Sequence, residues 1–192
     1  MSIEKYSYGI DHINSRKANV IEFYKDWQTK DIRADLQKDR SDAIMIFENI
    51  DYNINIGCAI RSNNAFLGKA VYICGRRRYD KRSTAGTGHY ENVYHADTTK
   101  EVIEHVKSLG YIVYAIDNIM EFSPINLMNV TLPKRSAFVF GEEGPGLSRD
   151  TINLCDNLLY IGMYGSVRSL NVAVAAGIVQ YEYTRQWRYK RS

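Results

Sequence analysis

The stretch YIGMYGSVRSLNVAVAAG, residues 160–177, organises the rest of this 192-residue chain. Its pattern predicts the end of a strand, then a polar loop with Gly162 and Gly165, then a helix that begins at Ser169 or Asn171. The helix consists almost entirely of small apolar residues, so we expect it to be packed closely on both sides. Because backbone N–H groups are free at a helix start, the polar residues there predict a ligand site.

Two upstream segments support this prediction. One reads NIGCAIR at 55–61, and the other reads FVFGEEGPGLS at 138–148. In this order, and together with SLNV at 169–172, they resemble the three motifs of the SpoU/TrmH branch of the SPOUT methyltransferases. Those enzymes methylate ribose 2′-oxygens of RNA with S-adenosylmethionine. The resemblance covers residues 42 to 183 and implies the same reaction here.

Composition places the chain among ordinary globular proteins. Hydrophobic residues make up 45% and charged residues 24%, and the net charge of +3 permits nucleic-acid binding without arguing for it. The three cysteines, Cys58, Cys74 and Cys155, match no zinc or disulfide pattern and are typical of reduced thiols in a cytoplasmic protein. We find no signal-peptide pattern, no apolar run near the roughly 20 residues of a membrane span, and no metal-ligand spacing among the histidines.

Short apolar runs that alternate with helical patterns predict an α/β fold, with a mostly parallel sheet flanked by helices. We expect strands at 43–47, 70–74, 111–116, 137–140 and 157–161, and helices at 53–66 and 98–109. The resemblance implies one further feature, a C-terminal trefoil knot that builds the cofactor pocket, although chains generally do not knot.

The chain divides into a predicted N-terminal helical extension, residues 1–41, and a SPOUT methyltransferase domain, residues 42–192. Helical patterns cover 19–27 and 32–38 in the extension. Two interpretations of the extension stay open: a helical cap on the domain, or a contribution to RNA or dimer contacts.

The resemblance implies that three loops wrap the adenosine part of the cofactor, largely through backbone groups. By position, the cofactor-binding residues are Phe140, Gly141, Gly144, Ile161, Met163, Ser169 and Leu170. Glycines allow a tight turn with backbone close to a ligand, although a glycine-rich loop alone is also typical of an ordinary strand-to-helix turn.

The resemblance assigns the chemistry to five residues: Arg61, Asn55, Ser169, Asn171 and Glu143. Because the pKa of an arginine stays above about 12, we interpret Arg61 as orienting the 2′-hydroxyl and the adjacent phosphate, and as stabilising the developing alkoxide. We expect Asn55 to hold Arg61, Ser169 and Asn171 to position substrate and loops, and Glu143 to hydrogen-bond in the pocket or across a subunit contact.

Plainer interpretations stay open for two of these residues and for the neighbouring Glu142. Arg61 would make only a surface ion pair, Asn171 would be a simple helix cap, and Glu142, next to Glu143, would be a solvated surface charge. The sequence also departs from the family pattern at Gly162, where many members have proline, and at Ala173, where many have serine.

Two basic segments bear on partners. The first follows the second predicted strand and supports an RNA partner through Arg76, Arg77, Arg78, Lys81 and Arg82, with a solvated charged loop as the alternative. The second is the C-terminal basic and aromatic stretch. There we expect Tyr181, Tyr183 and Trp187 to pack at a homodimer interface rather than to touch RNA.

The sequence therefore predicts a homodimeric RNA 2′-O-ribose methyltransferase that uses S-adenosylmethionine. We expect a tRNA substrate, because the chain lacks a separate N-terminal domain of the kind that binds ribosomal RNA in some relatives. The same reaction on ribosomal RNA is the alternative, followed by a non-catalytic RNA-binding module that keeps the knot. The absence of the P-loop and dinucleotide-binding glycine patterns disfavours an unrelated nucleotide-binding protein.

Overall fold

An eight-stranded sheet organises the described residues of the computed structural model, which are 3–5, 20–50, 53–75, 79, 81–142 and 144–188. The strands are β1 (Glu4–Lys5), β2 (Ile44–Glu48), β3 (Ala70–Cys74), β4 (Val93–Ala96), β5 (Ile112–Ile116), β6 (Ile125–Asn126), β7 (Ser136–Phe140) and β8 (Asn157–Tyr160). Their order across the sheet is β1-β4-β3-β2-β7-β5-β8-β6. The pair β1 and β4 is antiparallel, and the other described pairs are parallel, so the predicted sheet type is confirmed.

In the described part of the chain, five α-helices accompany the sheet: α1 (Thr29–Lys38), α2 (Asn53–Ala65), α3 (Thr99–Ser108), α4 (Arg149–Leu154) and α5 (Val172–Trp187). The five predicted strands and the predicted helices at 53–66 and 98–109 are confirmed with small shifts of their ends. The sequence did not predict β1, β4, β6 or α4, because two to six residues are too few to show a period. In the described ranges, no helix is both long enough and apolar enough to cross a membrane.

The N-terminal part is less helical than its pattern predicted. The predicted helix at 32–38 is present and begins earlier, at Thr29. The predicted helix at 19–27 is wrong: the chain there forms only a 3-10 turn, Glu22–Tyr24, and Asn19 lies outside the described residues. The rings of Phe23, Tyr24 and Trp27 cluster at centroid distances of 5.0 to 5.4 Å. Aromatic side chains lose rotamer freedom in a helix, which lowers their preference for helical backbone. Packing of the three rings against each other can therefore favour a turn over a helix here.

Each face of the sheet carries its own hydrophobic core, because alternate strand residues point to opposite faces. On one face, strand residues such as Met45, Phe47 and Phe138 pack against α2 and α5. On the other face, residues such as Ile46 and Val139 pack against α3 and α4. The two layers of helices fix the sheet and therefore the loops at its ends.

Helix α5 corrects two predictions. It packs closely on one side only: Ala176 is fully buried, whereas Val174 and Tyr181 are 50% and 51% exposed. Tyr183 and Trp187 do not face outward, contrary to the predicted interface. Tyr183 is 1% exposed and donates its hydroxyl to the Lys134 carbonyl at 2.6 Å, and the Trp187 indole N–H donates to the Leu132 carbonyl at 3.0 Å. The sequence predicted that α5 is packed on both sides because the first turns of this 16-residue helix are so apolar.

A buried polar cluster closes the amino ends of β2, β3 and β4. The Arg40 guanidinium donates to both carboxylate oxygens of Glu91 at 3.0 and 3.1 Å, and to the carbonyls of Gly68 and Tyr90 at 2.7 Å each. The side chains of Arg40 and Glu91 are 1% and 0% exposed. Asn63 and Asn64 of α2 also donate to Glu91, and Gln180 of α5 donates to Asn63 at 2.9 Å. The cluster ties both helices of one face to this end of the sheet.

Candidate cofactor and catalytic site

A cavity of about 430 Å³ opens at the carboxyl ends of β5, β7 and β8, where parallel sheets generally bind ligands. Three loops form its walls: 116–119 after β5, 140–146 after β7, and 161–171 before α5. Its lining residues are Ile116, Asp117, Asn118, Ile119, Phe140, Gly141, Glu142, Gly144, Pro145, Gly146, Ile161, Met163, Arg168, Ser169, Leu170, Asn171, Val172 and Ala175. All seven residues that the sequence assigned to cofactor binding are among them.

The glycines of the loop after β7 are needed for its shape. A β-carbon at Gly141 would lie 2.4 Å from the backbone of Gly146 and Leu147, so the loop can fold back on itself only without one. Gly146 has φ +74, a left-handed conformation that favours glycine, and a β-carbon there would lie 2.6 Å from a carboxylate oxygen of Asp117. Glycine at these two positions therefore allows the loop to fold back on itself and to lie close to Asp117.

Two residues after β5 hold the cavity walls together. Asp117 accepts the N–H of Leu147 through Oδ2 at 2.9 Å and the N–H of Asn118 through Oδ1 at 2.7 Å. The Asn118 side-chain amide donates to the Arg168 carbonyl at 2.6 Å. Adjacent residues at the end of one central strand thus bind the loop after β7 and the loop before α5.

The start of α5 is capped by Asn171, whose Oδ1 accepts the N–H groups of Ala173 and Val174 at 3.0 and 3.4 Å. Its Nδ2 donates to Oδ1 of Asn55, in the first turn of α2, at 3.0 Å. The plain interpretation of Asn171 as a helix cap is therefore correct as far as it goes. Asn171 also lines the cavity and joins the first motif of the sequence to the third.

Arg61 lies on α2, two turns after Asn55, and is exposed. No described residue makes a hydrogen bond or ion pair with its guanidinium, so the alternative of a surface ion pair finds no support in this part of the chain. The side-chain Oδ1 of Asn55 accepts from Asn171, and the support of Arg61 by Asn55 stays a prediction. Arg61 does not line the cavity itself and is left available to an anion that approaches it.

The remaining predicted site residues fall into three groups. Ser169 is exposed and lines the cavity. Lys81 and Arg82 are exposed on a 3-10 turn, Lys81–Thr84, which packs beside α2. Four predicted residues, Glu143, Arg76, Arg77 and Arg78, lie outside the described residues.

Sequence reasoning missed several cavity residues. Glu142 was interpreted as a solvated charge, but it is half-buried and lines the cavity. Asp117, Asn118 and Arg168 were not singled out. The sequence did indicate Asp117 and Asn118, because a polar pair that directly follows a buried central strand lies at the ligand-binding edge of the sheet.

The buried thiols are not part of this chemistry. Burial raises the pKa of Cys74 and that of Cys155 to about 12, so both thiols stay protonated at neutral pH. A protonated thiol is a poor nucleophile. The two residues serve as core side chains, as the sequence predicted.

Comparison with known proteins agrees with this geometry. Residues 42–181 match the model of the SpoU rRNA Methylase family. A 23S rRNA (guanosine-2'-O-)-methyltransferase of Coxiella burnetii is 31% identical, over 74% of this chain and 58% of that protein. A tRNA (guanosine(18)-2'-O)-methyltransferase of Aquifex aeolicus is 27% identical, over 82% of this chain and 75% of that protein.

The fold agrees as well. The SpoU methyltransferase AviRb from Streptomyces viridochromogenes, solved in complex with the cofactor AdoMet, superposes with a TM-score of 0.68 at 26% identity, over 77% of this chain and 59% of that one. The chain spans about half to two thirds of the length of several curated relatives, from 51% to 64%. With the family model covering most of its length, and with the three motif segments gathered around one cavity and its flanking helix, this chain belongs to the SpoU rRNA methylase family.

Proposed function

We propose that this protein transfers the methyl group of S-adenosylmethionine to a ribose 2′-hydroxyl of RNA. The observation that carries the proposal is the cavity at the carboxyl ends of β5, β7 and β8, together with the bond from Asn171 to Asn55. That bond brings the helix of Arg61 to the mouth of the cavity. The AdoMet complex of AviRb and the two 2′-O-methyltransferase relatives support the choice of cofactor and reaction.

The cavity suits an adenosine-containing cofactor. Its wall includes the apolar side chains of Phe140, Ile161, Met163 and Leu170, which can cover a flat heterocycle. Three glycines, Gly141, Gly144 and Gly146, also line it, and a glycine lets a ligand come close to the backbone. When bound, the cofactor supplies a methyl group on a sulfonium, which is an activated donor.

The protein's part in the reaction is to place and polarise the hydroxyl. Arg61 keeps its charge, since the pKa of a guanidinium stays above about 12, and is therefore assigned to the neighbouring phosphate and to the developing alkoxide. Ser169 and Asn171 at the mouth of the cavity position the ribose. Fixing both reactants in one geometry contributes a large share of the rate acceleration in such a transfer.

A homodimer is part of the proposal. Helix α5 exposes Val174, Ile178 and Tyr181 at 50%, 37% and 51%, and Ile54 of the neighbouring α2 is 56% exposed. An apolar face of this kind on two adjacent helices favours a second copy of the chain as its partner. Light scattering of the purified protein should give twice the chain mass, and the monomer mass would remove this part of the proposal.

The tRNA preference is the finest part of the proposal, and the relatives support both tRNA and ribosomal RNA. The test is methyl transfer from labelled S-adenosylmethionine into unmodified tRNA and, separately, unmodified ribosomal RNA, followed by nucleoside analysis. We expect a 2′-O-methylated nucleoside in the tRNA pool. Label in the ribosomal pool would change the substrate, and label in neither pool, with the cofactor still bound, would contradict the proposed activity.

A further inference from the structure

A second cavity lies beside the first and is unclaimed by the reaction described above. Its volume is about 210 Å³, against the roughly 30 Å³ that a water molecule occupies in the liquid, so it can hold an organic group. Its lining residues are Asn118, Met120, Asn126, Tyr160, Ile161, Gly162, Met163 and Tyr164. The two cavities share three lining residues, Asn118, Ile161 and Met163. A ligand in the second cavity would therefore lie next to a ligand in the first.

Gly162 lines this cavity and leaves little room for a side chain of its own. A β-carbon at Gly162 would lie 3.3 Å from the Nδ2 atom of Asn126 and 3.4 Å from the Tyr164 hydroxyl. The Asn126 amide and the Tyr164 side chain therefore lie next to the backbone of Gly162. Any larger residue would push these two side chains apart or fill the space beneath them.

The residues that line the cavity include two asparagines, whose amide groups are only partly used within the described residues, and two tyrosines. Asn126 uses its Oδ1 to accept the Met128 N–H at 3.0 Å, while its Nδ2 donates to no described residue. Asn118 uses its Nδ2 for the Arg168 carbonyl, while its Oδ1 accepts from no described residue. A free amide donor and a free amide acceptor in one cavity are the groups that read the edge of a nucleobase.

The rim of the cavity is apolar and aromatic. Tyr164 is 92% exposed and Met120 is 62% exposed. A tyrosine with almost its whole surface in water gives little to the fold, whereas it offers a flat face for a base to stack on. Aromatic stacking with adjacent amide groups is the usual way in which proteins bind unpaired bases of RNA.

We propose that this second cavity binds an unpaired base of the RNA substrate, at or beside the methylated nucleotide. The inference rests on the proposed function, which brings RNA to the mouth of the adjoining cavity. A base is favoured over a free metabolite because the rim is open, carries an aromatic face and adjoins the cofactor cavity. The Gly162 position thereby becomes a determinant of which RNA is methylated.

The first test needs no knowledge of the natural RNA. The protein is saturated with S-adenosylhomocysteine to fill the first cavity, and the four nucleoside 5′-monophosphates are added one at a time in saturation-transfer NMR. We expect weak, millimolar binding of at least one of them. Gly162→Ala, whose backbone conformation accepts a side chain, and Tyr164→Ala should each reduce the signal. Asn126→Ser keeps a side-chain acceptor for the Met128 N–H, at the start of the 3-10 turn Leu127–Asn129, and should change which base binds best.

The matched control is Phe23→Ala, which removes an aromatic ring that is 63% exposed and lines neither cavity. It should leave mononucleotide binding unchanged. No binding of any mononucleotide, or binding that all three cavity variants retain in full, would overturn the inference.

The second test separates this inference from the proposed function. With the RNA that the wild-type protein methylates, Tyr164→Ala should raise KM for RNA by roughly tenfold, the effect of one lost base stack, with unchanged affinity for the cofactor. Tyr164→Phe should retain most of the wild-type KM. If the wild type is active and Tyr164→Ala has the same KM, the second cavity is not a base site, whereas an inactive wild type contradicts the proposed function and leaves the mononucleotide test to decide.

Discussion

The two ends of the sheet use the same residue types in opposite ways. At the amino end, Arg40 and Glu91 are buried and bonded to each other, and their remaining groups are largely met by backbone carbonyls and by asparagines of α2. At the carboxyl end, asparagines hold loops around an open cavity, while Arg61, on α2 between the two ends, is exposed and makes no hydrogen bond or ion pair with a described residue. A polar group that is paired within the protein contributes to stability and specificity of the fold, whereas one left available can serve a ligand.

The type of a residue therefore does not by itself show whether it stabilises the fold or serves a ligand. Arg40 precedes a predicted strand and Arg61 lies inside a predicted helix, and residue type alone does not distinguish a buried structural arginine from an exposed one. Position in the sheet does: loops at the carboxyl ends of parallel strands surround the ligand site, and loops at the amino ends close the core. Substitutions at the two ends should therefore change different measured quantities.

The largest effect on stability is expected for Glu91→Ala. It leaves the Arg40 charge buried without its partner, at a cost of about 3–5 kcal/mol in the free energy of unfolding. For a chain of this size that corresponds to a fall in Tm of roughly 10 °C or more, measured by thermal unfolding with circular dichroism.

The control for this prediction is Lys100→Ala, which removes an exposed ion pair with Glu104 at 3.8 Å. Exposed pairs contribute at most about 1 kcal/mol, so its Tm should stay near that of the wild type. Equal effects of the two substitutions would show that burial of the Arg40 pair does not matter.

The next effect is expected for Asp117→Ala and concerns the cofactor. The substitution removes the acceptor for the Leu147 N–H, so the glycine loop loses its tie to β5. Hydrogen bonds to a charged acceptor contribute about 1.5–3 kcal/mol, and we expect the Kd for S-adenosylmethionine to rise about tenfold in isothermal titration calorimetry.

The matched control lies at the other end of the same strand. Asp156 accepts the Val113 N–H at 2.8 Å through Oδ2, so Asp156→Ala also removes a carboxylate that holds the backbone of β5. It should lower Tm and leave the Kd unchanged. A tenfold weaker cofactor affinity in Asp156→Ala would mean that the affinity follows general stability rather than the cavity loops.

The smallest effect is expected for Asn55→Ala, which removes the 3.0 Å bond to Asn171. Loss of one neutral hydrogen bond costs about 0.5–1.5 kcal/mol, so kcat at saturating cofactor should fall by roughly three- to tenfold, with little change in Tm. Asn64→Ala, on the same helix but bonded to Glu91, should do the reverse. Equal kcat values for these two variants would argue against a role for the Asn55 bond in catalysis.

The central fold could be predicted from the sequence because its strands are continuous apolar runs bounded by turns. The runs around Ile46, Ile73 and Val139 are buried on both faces, which is the pattern that parallel sheets produce. The N-terminal turn at Glu22–Tyr24 could not be predicted, because mutual packing of three aromatic rings overrides the helical spacing. The exposure of one side of α5 could not be predicted, because its small apolar residues fit a buried or a half-buried helix equally well. The trefoil knot stays a prediction.

The sequence could place the seven predicted cofactor residues at one cavity because their motifs are local, and each of them lines it. Their contact with the cofactor stays a prediction. The pairing of Asn55 with Asn171 could not be predicted, since 116 residues separate them and only the fold brings the two helix starts together. The same applies to Asp117, which acts on a loop 30 residues away. The roles assigned to Arg61, Ser169 and Glu143, and to the basic segment from Arg76, stay predictions.

The central claim is that Arg61, which makes no hydrogen bond or ion pair with a described residue, acts on the RNA substrate. The most direct measurement is the single-turnover rate of methyl transfer by Arg61→Ala, on the RNA that the wild type methylates and at saturating S-adenosylmethionine. We predict a loss of at least about 100-fold, as for other groups that stabilise developing negative charge, with the cofactor Kd within threefold of wild type and Tm unchanged. A rate within a few-fold of wild type would contradict the claim, and so would a loss explained by weaker cofactor binding or a lower Tm.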